Sequence, residues 1–293
     1  MKVLLAHDGR PPSDESCELL AKIVDKNRVD VTVLCVESFD MALEVGARTE
    51  GRYSPEAGRK NAESIVEKAV GQLEGRGFRV TGLVEEGYPP SEILQQATAG
   101  GYALVVLGSG KSGLLRGASL GSVSTKVLHA SPTSVMIVHE AEADRGGGVL
   151  VGIDGSAESE SAVRAVGELC DPERVDVRLS AVVKLADAVS LADDWSRLVS
   201  KGRDELLTQL RRRSDQDLAR ARKSLETKGF VVSSSLVEGN PRERLLEQAE
   251  ETRADVVAVG ARGRTGLERV LLGSVTDGIV RHAPATIVGR SAK

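Results

Sequence analysis

The chain has 293 residues, a length that suits two ordinary domains better than one. Its 39 Lys and Arg stand against 43 Asp and Glu, a net charge of −4, so the totals carry no nucleic-acid footprint. Cys17, Cys35 and Cys170 show no short pairing or metal spacing, and no apolar run approaches the roughly 20 residues of a membrane span, so the expectation is a soluble, cytoplasmic protein.

In chain order, the first strand is expected near 2–7 (KVLLAH), followed by a helix near 14–26 and a second strand near 30–36. A long helix near 55–75, a strand near 78–84, a helix near 90–99, a strand near 103–108, a helix near 119–130 and a strand near 134–138 complete the set. Strand-length apolar runs that alternate with longer stretches of helical period give a parallel sheet covered by helices.

The whole order then repeats. VLLAHDG at 3–9 matches VLVGIDG at 149–155, and EEGYPPSEILQQA at 85–97 answers VEGNPRERLLEQA at 237–249. The early pairs lie 146 residues apart and the late ones 152, so the second copy gains six residues between Val182 and Val237. There, from about Asp193 to Lys228, it reads as a longer, heavily charged helix. Pro89 and Pro241 suit helix first turns, where a missing N–H costs nothing. The expected architecture is two tandem α/β domains, 1–140 and 148–293, each an open five-stranded parallel sheet of Rossmann-like type with helices on both faces, joined through EAEADRGGG at 140–148.

The stretch with most to explain is GARGRTGLERVLLGSV, Gly260 to Val275, directly after the apolar run DVVAV. In such a sheet strand four lies beside strand one where the winding reverses, and ligands bind outside the carboxyl ends of the strands. Asp8 or Asp154, at the end of strand one, thus falls near the glycine loop after strand four. Gly273 and Ser274 open the last helix, whose N-terminal N–H groups and dipole suit a phosphate that glycine lets approach the backbone. The plain alternative is that both loops are ordinary connections whose glycines only cap and turn; duplication copies an idle loop too.

Two other phosphate motifs fail. GSGKSG at 108–113 imitates a dinucleotide fingerprint, but it follows the wrong strand and lacks an acidic residue at the right distance. GKS at 110–112 imitates the end of a P-loop, but the required first glycine falls on Val105.

The spacing G-x2-G-x9-G-[ST], read at Gly260, Gly263, Gly273 and Ser274, resembles the ATP-binding signature of the universal stress protein family in its tandem two-domain form. VGIDGS at 151–156, the G-x-P before the third helix and RHAP at 281–284 are similar to that family as well. The resemblance covers both copies and implies an adenine nucleotide α-hydrolase-like fold. It also implies ATP as ligand, with Mg2+ carried on its phosphates. By that resemblance Asp154 contacts the ribose or adenosine side, Val182 lines the adenine slot, Gly260, Gly263, Gly273 and Ser274 hold phosphates, and Arg262 adds charge. The matching positions in the first copy are Asp8, Val36, Gly108, Lys111, Gly121 and Ser122, so a lysine stands where the signature has its second glycine.

Other chemical-looking residues read as structural. His7 has no serine, cysteine or second histidine at triad spacing and is assigned a structural or rim role. His129 and His282 sit near the ends of matching helices, where histidine suits the dipole; the RRR run at 211–213 reads as a solvated face and Trp195 as core or interface cover. By the same resemblance the last strands, VMIV at 135–138 and TIV at 286–288, pair edge to edge, giving a pseudo-dimer of the copies or a homodimer of chains. The leading function is a nucleotide-dependent stress or regulatory module with a protein partner and no fast catalysis. The alternatives are a slow ATPase or phosphotransferase, and a ligand-free dimerisation scaffold.

Overall fold

Proline opens four of the described helices, one of them the helix that starts at Pro55. Pro11, Pro89 and Pro241 each occupy the first turn, where fixed φ is already helical and no N–H is lost. The computed structural model describes residues 1–41, 43, 55–110, 120–139, 146, 148–184, 203–264 and 272–291. These divide into two units, Met1–Glu142 and Ala143–Ser291.

In the first unit β1 (Lys2–Ala6), α1 (Pro11–Ile23), β2 (Asp30–Glu37), α2 (Pro55–Glu74), β3 (Arg79–Glu86), α3 (Pro89–Ala99), β4 (Leu104–Gly108), α4 (Ser122–Ala130) and β5 (Ser134–Val138) alternate as expected. The sheet order is β3-β2-β1-β4-β5, all parallel, with Leu4 opposite both Thr32 and Val105. β1 is flanked by β2 and β4, so the winding reverses there and a crevice opens at the carboxyl ends of β1 and β4. Leu4, Leu5, Leu34 and Val105 are fully buried, as the continuous apolar runs of a sheet covered on both faces require.

The second unit repeats the plan with β6 (Gly148–Ile153), α5 (Ala157–Leu169), β7 (Asp176–Val183), α6 (Arg203–Glu226), β8 (Val232–Glu238), α7 (Pro241–Glu251), β9 (Val256–Gly260), α8 (Ser274–His282) and β10 (Ala285–Gly289). Its order is β8-β7-β6-β9-β10, again all parallel, with Leu150 opposite Arg178 and Val257. The long charged helix is present as α6, which runs to Glu226; residues 185–202, Trp195 among them, lie outside the described residues.

Two boundaries differ from expectation. α1 spans Pro11–Ile23 rather than 14–26, because paired prolines open it and Val24 leaves the helix in an extended conformation before the turn at Asp25–Arg28. α4 starts at Ser122 rather than 119, after Gly121 in extended geometry. Among the described residues no helix is long and apolar enough to cross a membrane.

Candidate functional site

β6 delivers Asp154 to the crevice, and the next residues fix it there. Gly155 turns the chain at φ +70°, a conformation that suits glycine. Ser156 then caps α5 by accepting from the Ser159 N–H at 3.1 Å. Asp154 Oδ1 accepts from both the backbone N–H (2.9 Å) and the hydroxyl (2.6 Å) of Ser156. The other oxygen, Oδ2, faces Gly263, where a Cβ would stand 2.9 Å from it. A side chain at Gly263 would cover this oxygen, which has no hydrogen-bond partner among the described residues.

The three signature glycines do different work. At Gly260 a Cβ would stand 2.6 Å from the Ser159 nitrogen and 2.7 Å from the Glu158 carbonyl carbon, so this glycine lets α5 press against β9. Gly108 does the same in the first unit, 2.7 Å from the Pro12 carbonyl carbon. Gly273 has ordinary space around it, its nearest neighbour being Arg262 Cα at 3.5 Å. It precedes α8 and offers no side-chain cap, so the first-turn N–H groups remain for another acceptor.

A cleft of about 770 Å³ joins these features within the second unit. It is lined by Gly263, Gly273, Ser274 and Thr276, by Asp154, and by an apolar slot of Gly152, Val182, Leu245 and Val259. Val182 and Val275 pack onto the core cluster of Leu150, Leu245, Val259 and Ile279, which makes the slot rigid. Four cationic residues, Lys184, Arg242, Arg262 and Arg264, also line the cleft. Lys184 and Arg242 form no salt bridge with any carboxylate among the described residues.

The two loop arginines are not loose. Arg262 Nη2 lies 2.8 Å from Oε1 of the buried Glu158, whose Oε2 accepts from the Ser291 N–H at 2.8 Å. Its guanidinium is thus tied behind the loop, beside the cleft its residue lines. Arg264 pairs through Nη2 with Asp217 of α6, and Arg220 pairs with the same buried carboxylate. Sequence reasoning missed Arg264, Asp217, Lys184 and Arg242. The signal was available in the copy alignment, where Asp217 falls opposite Ile65 and Arg264 opposite Ser112.

The first unit holds the matching residues in a different state. Asp8 Oδ1 accepts from Arg10 N (3.1 Å) and Ser13 Oγ (2.7 Å), and its Oδ2 lies 3.9 Å from the Arg10 guanidinium, so both oxygens are engaged. Val36 is buried at the end of β2, Gly108 ends β4, and Gly121 and Ser122 open α4 without a side-chain cap. The Ser124 hydroxyl donates to Gly108 O at 2.7 Å, as Thr276 does to Gly260 O. Lys111 lies outside the described residues.

His7 is buried, its Nδ1 accepting from the Gly9 N–H at 3.1 Å, which assigns the proton to Nε2, 3.6 Å from Asp14. Burial holds its pKa below the usual 6.5 against the pull of Asp14 and Asp8. This is a packed neutral imidazole rather than a base facing a substrate. Burial likewise pushes the thiols of Cys17, Cys35 and Cys170 up to about 12, which leaves them protonated and unreactive.

The model of the family described as "Universal stress protein family" matches residues 1–139 and 148–288, nearly the whole chain in two copies. The chain belongs to the universal stress protein family. A universal stress protein of Mycobacterium tuberculosis is 27% identical over 300 residues, covering 98% of this chain and 95% of that one. One from Methanocaldococcus jannaschii is 29% identical over 148 residues, half of this chain and 83% of its own length. Among solved structures, a universal stress protein from Archaeoglobus fulgidus superposes with a TM-score of 0.69 at 20% identity, over 99% of this chain and 98% of that one. That likeness supports the tandem α/β fold, which universal stress proteins share here from end to end.

Proposed function

We infer that the second unit binds an adenine nucleotide, ATP with Mg2+ on its phosphates, as a regulatory ligand. The observation that carries the reading is one cleft lined together by the start of α8, which has no side-chain cap, by Asp154 and by an apolar slot. Backbone N–H groups at a helix start are an anion site, and glycine admits the phosphate to them. Asp154 Oδ2 suits ribose hydroxyls, which donate to a carboxylate, and the slot beside Val182 suits a flat base. The reading carries Mg2+ on the nucleotide's phosphates. Bound there, the ion neutralises phosphate charge.

The first unit carries an equivalent site in Asp8, Val36, Gly108, Gly121 and Ser122, weakened by the closure of Asp8 onto Arg10. Positions corresponding to Lys184, Arg242, Arg262 and Arg264 hold Ser38, Pro90, Gly110 and Ser112, so the first copy lacks those four cations. The reading includes a conformational output: nucleotide binding changes a surface for a protein partner, which requires different affinity in the two states. Calorimetric titration of nucleotide-stripped protein with Mg-ATP tests this. One tight site per chain, lost in Gly273→Val, is expected; no heat and no protection of residues 260–276 from hydrogen exchange overturns it and leaves a scaffold.

A further inference from the structure

We propose that Arg264 is the residue through which the second unit reads the length of the ligand's phosphate chain, and that Asp217 of α6 positions it. This rests on the nucleotide reading above. Arg264 follows directly on Gly263 and lines the same cleft as Gly273 and Ser274, where the nucleotide reading places the phosphates. Its Nη2 is committed to Asp217, while its Nε is buried and has no acceptor among the described residues. A guanidinium presents five N–H donors in a planar fork, so one anion can hold part of it while a second takes the rest.

The surroundings fix the fork rather than release it. Asp217 is only 6% exposed and accepts from two arginines, Arg264 and Arg220, so the cluster keeps a net positive charge. Gly155, directly after Asp154, lies beneath the pair; a Cβ there would stand 2.6 Å from Asp217 Cγ. The turn that carries Asp154, the glycine loop and α6 therefore meet at one ion pair. α6 also brings Leu210 and Ser214 to the cleft wall. In the first unit the same place is apolar: Ile65 Cδ1 is the atom a Cβ on Gly9 would meet, at 2.8 Å. A charged pair buried at that point in one copy only is costly without a ligand to use it, and the signature glycines alone hold only the phosphates near the helix.

The test is the affinity ratio of ATP to AMP, measured by calorimetry on the full chain at fixed Mg2+, for the natural protein, Arg264→Gln and Asp217→Asn. A ratio does not depend on the folded fraction, so a variant that folds poorly still answers. Arg264→Gln is expected to weaken ATP about tenfold and AMP by less than about twofold, the loss of a charge-assisted contact made only to the distal phosphates. Asp217→Asn is expected to lower the ratio several-fold in the same direction. Equal losses for both nucleotides, or an unchanged ratio in Arg264→Gln, overturn the role of Arg264 while leaving the nucleotide reading intact. A ratio that rises in Asp217→Asn overturns the positioning role, because Asp217 then competes with phosphate. No binding of either nucleotide to the natural protein overturns both readings.

Discussion

The two units are copies with one backbone plan and opposite treatment of the same carboxylate. In the first, Asp8 is closed by Arg10, Ser13 and a backbone N–H. In the second, Asp154 is held through one oxygen by Ser156, and the other has no hydrogen-bond partner among the described residues. Around it the second unit adds Lys184, Arg242, Arg262 and Arg264, where the first has Ser38, Pro90, Gly110 and Ser112. Fold and site are thus separable in this chain: duplication carried the crevice over twice, and side chains outside the core decide how each crevice is furnished.

The comparison breaks most sharply at Gly273. Valine there keeps an ordinary backbone conformation and, among the described residues, meets no neighbour closer than 3.5 Å at Cβ, so folding is expected to survive. The branched side chain excludes phosphate from the α8 N-terminus, and with two or more charge-assisted hydrogen bonds lost, affinity for Mg-ATP is expected to fall about a hundredfold or more in calorimetry. Gly260→Ala has the opposite profile. Its methyl group runs into the first turn of α5, an overpacking cost of about 1–3 kcal/mol, read as a lower midpoint in urea unfolding of the second unit with nucleotide selectivity unchanged.

Asp154→Asn tests whether the second carboxylate oxygen matters. Exchange of the carboxylate for an amide is expected to weaken nucleotide binding about tenfold, the scale of one charge-assisted hydrogen bond. If turnover vanished with affinity intact, an enzyme would be the better description.

Smaller effects sharpen the first copy. His7 titrates lower in the folded protein than its usual 6.5 because it is buried. Between the folded and unfolded values only the unfolded chain takes up the proton, so the first unit loses stability as pH falls below 6.5 and levels off below the folded value. His7→Ile, which installs the residue found at 153, is expected to flatten that dependence in the hydrogen exchange of β1. Arg10→Ala removes an exposed contact worth at most about 1 kcal/mol; a gain of a few-fold in first-unit nucleotide affinity is the expected sign, and no gain means Asp8 is not what limits that site.

The repeat, the alternation of elements and the glycine spacing were legible in the sequence because each is a pattern along the chain. The switch point between the first and fourth strands of a copy puts Asp8 or Asp154 beside the glycine loop from the sequence alone. The purpose of each glycine was not legible, since Gly260 and Gly273 differ only in what approaches them from elsewhere: a helix turn in one case, open cleft in the other. Arg262 was read as added charge at the phosphates, yet its guanidinium is drawn to Glu158, a buried acid that aligns with Pro12 and has no counterpart to predict it. Arg264 and Asp217 are 47 residues apart and meet only through the packing of α6 over the Gly155 turn. Residues 111–119 and 265–271 lie outside the described residues, Lys111 among them.

The close packing at Gly260 has a diagnostic consequence. Because that glycine answers to the helix pressed against it, a copy that has lost its nucleotide still requires it, whereas the nearest described neighbour of a Cβ at Gly273 stands 3.5 Å away. A motif search that weights the signature glycines equally will count lapsed copies as working ones. At the third glycine the two copies differ in packing, since a Cβ on Gly121 would stand 3.0 Å from Ser109 O, so a copy is told apart by the residues around its glycines rather than by the glycines themselves.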